Sequence, residues 1–137
     1  MAISTDERDH IPVEQTGFDL APGQQKNIGS IRCWQMRKLT ATVRATYDQS
    51  ADVTKPLVIE TFWSADGQHH DTNSYASIFL PATQGATRQI SRDIPTPEIG
   101  FLAIKLTNPD THPVSDISVW MGGRRWADEM TKQAAQA

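Results

Sequence analysis

The run LTATVRATY, residues 39–47, alternates without a break. Leu39, Ala41, Val43, Ala45 and Tyr47 fall on one side, and Thr40, Thr42, Arg44 and Thr46 on the other. Successive side chains of an extended chain point to opposite faces, so this period of two marks a β-strand rather than a helix. An apolar face set against a face of threonines and one arginine describes an antiparallel strand with one side on a core. Its other side meets solvent or a partner.

The flanking sequence repeats the theme. Upstream, TGFDL and KNIGSIR are short strand-like pieces separated by APGQ, and Ile28 and Ile31 supply the apolar positions of the second. Proline presets φ and glycine accepts positive φ, which makes Pro-Gly a turn signal. Downstream, PLVIETFW is a nearly continuous apolar run, as expected for a central strand covered on both faces. SYASIFLP, TRQISRDI, FLAIKLTN and VSDISVWM follow, set apart by Asp66-Gly67, Gln84-Gly85, Asn108-Pro109-Asp110 and a closing Gly122-Gly123. TRQISRDI carries Arg88 and Arg92 and reads as an edge strand, because charge on an edge discourages pairing with another chain. The total is about eight short strands with turn signals between them and no long amphipathic helix.

That pattern predicts an all-β fold, an antiparallel β-sandwich of jelly-roll type. The boundaries are an N-terminal arm over residues 1–15, a β-domain over 16–121 and a C-terminal tail or short helix over 122–137. Jelly rolls and immunoglobulin-like sandwiches read alike at this level, so the strand order stays open. Val43, Ile59, Phe79, Ile104 and Val119 are central in their runs and are the expected core, joined by Trp63 and Trp120.

Composition narrows the chemistry. The chain has 137 residues, the size of one domain, and a formal net charge of −3. A mildly acidic chain offers no electrostatic basis for binding nucleic acid or an anionic membrane surface. A single cysteine, Cys33, allows no internal disulfide and lacks a histidine or oriented partner in IRCWQMRKL, so a small buried side chain is its expected role. The start, MAISTDERDHIPVEQ, lacks the apolar core of a signal peptide, and no stretch of about 18 apolar residues exists for a membrane helix. The expectation is a soluble protein made in a cytoplasm.

His69, His70 and Asp71 form the one histidine cluster. Adjacent histidines on an extended chain point apart, and no second group with ligand spacing accompanies them. They follow the Asp66-Gly67 turn dipeptide, so a solvated hairpin tip is expected. Acid pairs such as Asp66 with Asp71, or Glu60 with Asp66, have no distinguishing context, and neither a nucleophile elbow nor a phosphate loop is present. No cofactor and no metal are expected. Trp34 and Trp126 stand near element ends, Trp126 beside Arg124 and Arg125, a composition favoured where proteins meet. With Ile3, Ile11 and Val13 of the arm they are the expected interface residues.

Two segments carry a resemblance. PLVIETFWSADGQHHDTNSYASIFLP places Ser64, Asp66, Gly67, Asp71 and Thr72 in the pattern S-x-D-G-x-x-x-D-T after a strand. GFLAIKLTNPDTHPVSDISVWMGG places Lys105, Asn108 and Asp110 in a K-x-x-N-x-D turn before a final strand. The span from Arg37 to Gly123 resembles small β-sandwich virion proteins of tailed bacteriophages, among them capsid decoration (cement) proteins and tail or fibre accessories. The resemblance implies no catalytic residues. It implies a virion protein made in the host cytoplasm and assembled as a homo-oligomer, most simply a trimer. Its partner would be the major capsid protein or another virion protein, bound across the joints between capsid subunits. The rival expectation is a carbohydrate- or receptor-binding tail module that stacks its ligand on Trp34, Trp63 or Tyr75.

Overall fold

The computed structural model describes residues 13–34, 36–97 and 99–125. They form eight strands: β1 Val13–Leu20, β2 Gln25–Arg32, β3 Met36–Tyr47, β4 Leu57–Ser64, β5 Ala76–Leu80, β6 Thr87–Asp93, β7 Phe101–Thr107 and β8 Val114–Arg125. The strands divide into two four-stranded sheets, β1-β8-β3-β6 and β2-β7-β4-β5, and every pairing is antiparallel. The chain changes sheet at each connection except β4–β5, and its first and last strands lie side by side. That order is the jelly roll, and it settles the choice against an immunoglobulin-like sandwich.

The alternation of β3 is realised. Leu39, Ala41, Val43, Ala45 and Tyr47 are buried, while Thr40, Thr42, Arg44 and Thr46 face out. Across the interior, Leu57 and Ile59 of β4 and Leu102, Ile104 and Leu106 of β7 meet Ile117, Val119 and Met121 of β8. The Tyr47 hydroxyl bridges the two sheets. It donates to the Leu80 carbonyl and accepts from the Leu57 amide at 3.0 Å, and burial pushes its pKa up. On the exposed side of the first sheet, hydroxyl pairs join β3 to the edge strand β6: Thr42 with Ser91 at 2.7 Å and Thr46 with Thr87 at 2.8 Å. In register with Ala45 and Ala41, Arg88 and Arg92 sit on the inward parity of that edge. Charged groups there make a second pairing strand costly.

Several expectations need correction. Phe79 does not belong to the core. It is 57% exposed, because β5 turns Ile78 and Leu80 inward and an apolar run on an edge strand leaves the intervening residue outside. Trp120 also leaves the core. It alternates with the buried Val119 and Met121 and lies half-buried on the outer face of the first sheet, in register with Glu14 and Thr42. β1 begins at Val13, three residues inside the segment read as an arm. Val13 pairs with Met121, is only 5% exposed and packs against Gly29, so it is a core residue rather than an interface anchor. Likewise Gly122-Gly123 do not stop β8, which runs on to Arg125. A Cβ on Gly123 would stand 2.7 Å from the Lys38 carbonyl oxygen, so glycine here permits close approach of β8 to β3.

Candidate docking surface

The histidine cluster resolves into a capped turn. Asp66 Oδ1 accepts from the amides of Gln68 and His69, both at 2.8 Å, and from the Ser64 hydroxyl at 3.0 Å. Asp66 Oδ2 lies 2.8 Å from His69 Nδ1, and the Gly67 amide donates back to Ser64 Oγ at 2.9 Å. The His69 amide first, then its ring and the Gln68 amide, hold the Asp66 carboxyl well below the usual carboxylate range. The loop then returns along β4, the Asp71 amide donating to the Trp63 carbonyl at 2.9 Å. Among the described residues no three potential ligands converge on a metal position. Replacing His69 and His70 together by serine should move the melting temperature by no more than about 3 °C. Added zinc should not raise it in the parent protein, and a zinc-dependent rise measured by differential scanning fluorimetry would contradict this assignment.

Of the expected interface residues, the structure brings three to one end of the sandwich. Trp34 sits on the β2–β3 turn, 49% exposed, and Arg124 lies near the end of β8 with Lys38 as its Cα partner. Arg125 pairs with Met36 at the same end. Ile3, Ile11 and Trp126 lie outside the described residues. Trp63 is no open platform. It packs against the core, and its indole Nε1 donates to the Ile99 carbonyl at 3.0 Å.

Strand periodicity alone did not single out a surface that carries exposed aromatic residues: the outer face of the second sheet. Register places its side chains in rows. Phe79, Val58, Thr107 and Gln25 form one; Ser77, Glu60, Lys105 and Asn27 the next; Phe62, Ala103 and Ser30 a third. Tyr75 stands at the rim, 43% exposed, one residue before β5. Aromatic rings thus border a polar row in which Glu60 and Lys105 are cross-strand partners. The Lys105 ammonium lies 5.1 Å from the Phe62 ring centroid and 3.4 Å from Gln25 Oε1. An ammonium at that distance over a ring is held by the ring's negative face, so the row is ordered before anything binds. The signal was present in SIFLP and LVIETFW. Once Leu57, Ile59, Ile78 and Leu80 are assigned inward, Val58, Phe62 and Phe79 must point out.

No protein-family model matches the chain, and no curated sequence does. Solved structures share its course. A family 35 carbohydrate binding module from an environmental isolate is 15% identical over 74% of this chain and 66% of its own, with a TM-score of 0.47. The carbohydrate binding module CBM6cm-2 of Cellvibrio mixtus lichenase 5A, solved with cellotriose, is 12% identical over 91% of this chain and 98% of its own, at 0.45. The VP2 subviral particle of infectious bursal disease virus is 12% identical over 87% of this chain, which spans only 33% of the VP2 chain, at 0.49.

Proposed function

We propose that the protein is a non-enzymatic virion subunit, a capsid decoration protein that seats the outer face of its β2-β7-β4-β5 sheet across joints between major capsid subunits. The observation that carries this reading is Phe79, held 57% exposed by its register on β5 opposite Val58. Full burial of one such ring is worth about 1.5–3 kcal/mol of transfer free energy before association costs are met. Glu60 and Lys105 between the rings favour one orientation of the partner more than they add affinity. Most of the residues behind the phage resemblance serve the fold itself: Ser64, Asp66 and Gly67 cap a turn, and Asn108 and Asp110 lie buried, while Lys105 stands on the outer face. The turn and buried residues therefore support the architecture and leave the partner to the exposed face.

Co-sedimentation with phage heads tests the proposal. Phe79→Ser should keep the parental melting temperature and lose about tenfold or more in head binding, the scale of a central aromatic anchor. Undiminished binding by a folded Phe79→Ser protein would rule out this face. A second reading, a saccharide-binding tail module, draws on the polar row Ser77, Glu60, Lys105 and Asn27 lying between aromatic rows. Hydrogen-bonding groups beside exposed rings suit a sugar. Saturable binding on a glycan array, lost in Tyr75→Ala and without head binding, would favour that reading. The mass of the protein in solution tests the expected trimer.

A further inference from the structure

The outer face of the β2-β7-β4-β5 sheet is unequal across its width. On the β4–β5 half stand the large side chains: Phe79, 57% exposed, Tyr75, 43% exposed, and the half-buried Phe62. Tyr75 precedes Ala76, the partner of Thr61, and so extends the row of Phe62. On the β2–β7 half the same rows carry Gln25, Ser30 and Ala103. The row between holds Glu60 on the first half and Lys105 on the second, one carboxylate and one ammonium side by side. Lys105 is already positioned, 5.1 Å over the Phe62 ring and 3.4 Å from Gln25 Oε1. Each large or acidic group therefore has a small or basic one at the mirrored place across the boundary between β4 and β7.

We propose that this face pairs with the same face of a second copy of the chain. Two sheets packed face to face lie about 10 Å apart, with their strands within about 30° of one another. A two-fold axis in the plane of contact, parallel to the strands and between β4 and β7, turns each row onto itself. Glu60 then meets Lys105 of the second copy, and Lys105 meets its Glu60, so both charges find an opposite one. Phe62 lies over Ala103, Phe79 over Gln25 and Tyr75 over Ser30, large on small at each position. An axis across the strands would set Glu60 on Glu60 and Lys105 on Lys105, so charge selects the first arrangement. A Cβ on Gly67 would stand 3.4 Å from the Phe101 ring, so the loop after β4 borders the face at that end and confines the contact to three rows. Three rows on four strands make a patch about 20 Å square, at the small end for a stable interface, so the dimer should dissociate on dilution. It has two members where the phage resemblance implies a trimer. It uses the face that the capsid reading gives to the head but does not rest on that reading, and a second copy and a capsid would compete for one surface.

Sedimentation equilibrium of the full chain, from micromolar to millimolar concentration, tests the pairing. The mass should rise from monomer to dimer. Glu60→Lys sets cation against cation across the axis, and Lys105→Glu sets carboxylate against carboxylate, so each variant alone should dimerise about tenfold or more weakly. An equimolar mixture of the two restores opposite charges at both contacts and should dimerise like the parent. A pairing of Glu60 with Lys105 within one chain gives no such rescue. Phe79→Ser, outside the charged row, should also weaken the dimer. A parent that stays monomeric at millimolar concentration, a trimer, parental dimerisation of any single variant, or no rescue in the mixture would each overturn the proposal. Circular dichroism confirms that each variant is folded. Head binding is a separate measurement, so failure of the dimer and failure of the capsid reading are distinct results.

Discussion

Gly100→Ala should destabilise the protein by about 3 kcal/mol or more, a loss of roughly 10 °C in melting temperature. Gly100 adopts φ +87°, a conformation that L side chains rarely take. A Cβ there would also lie 2.5 Å from Trp63 Nε1 and 2.7 Å from the Ser64 carbonyl oxygen. Neither neighbour is the free end of a flexible chain. Trp63 Nε1 is engaged with the Ile99 carbonyl, and the Gly100 carbonyl accepts from the Cys33 amide at 2.8 Å. Relief of the clash must therefore move β4, the β6–β7 connection or the β2–β3 turn. Gly23→Ala isolates the conformational part. Gly23 has φ +70° and would place its Cβ with nothing within 4 Å, so its cost should be only the left-handed term of about 1–2 kcal/mol. Thermal unfolding of both variants decides the matter. If Gly100→Ala is no worse than Gly23→Ala, the packing around Trp63 is looser than described.

The contrast between these glycines shows what a sequence can and cannot carry. Residues 39–47 declared their strand and their faces because period two is a local property of the chain. Ile59, Ile104 and Val119 followed from the same rule, and Arg88 and Arg92 marked their edge through charge. Pairing partners are different, since β1 lies beside β8 across nearly the whole chain and no local pattern records it. Val13 escaped because the register of β1 shifts between Gln15 and Phe18, which interrupts the alternation near Gly17. Gly122-Gly123 looked like a stop because glycine usually punctuates strands, whereas here a neighbouring backbone needs the space. Phe79 looked like core because IFL is apolar at both parities. Only the placement of β5 at a sheet edge, with the outer face uncovered, separates Phe79 from Ile78 and Leu80. The docking face was thus half legible: its residue types were visible, but their common side required the register. Long-range pairing was less so, since Lys38 and Arg124 are 86 positions apart in sequence and meet only through the β3–β8 ladder.

Asp110→Ala should cost about 3 kcal/mol, and the parent protein should lose stability in acid partly through this residue. Asp110 is only 2% exposed, at the end of the sandwich opposite the start of β3. Its carboxylate accepts from the amides of Asp52 at 2.9 Å and Thr111 at 2.6 Å, and His112 Nδ1 lies 3.2 Å away. Asn108, fully buried, completes the node. Its side-chain amide donates to the carbonyls of His112 at 2.9 Å and Ala21 at 3.3 Å, and its oxygen accepts from the Asp110 amide at 3.1 Å. Three connections, β1–β2, β3–β4 and β7–β8, are therefore joined by two side chains. Truncation to alanine leaves buried amides without an acceptor, which is the expensive side of losing a hydrogen bond. Burial pushes the Asp110 carboxyl up, but the Asp52 amide, the His112 ring and the Thr111 amide together hold it below its usual value. A depressed folded pKa contributes stability that is present above the unfolded value of about 4 and lost as pH falls through the folded one. Melting temperatures measured from about pH 6 down to about pH 2 should therefore fall more steeply for the parent than for Asp110→Asn, which cannot titrate. Asp66, also depressed, keeps some acid sensitivity in that variant, so the slope should shrink without vanishing. Parallel curves for the parent and Asp110→Asn would show that the node is held by Asn108 and the backbone, with the charge of Asp110 incidental to it.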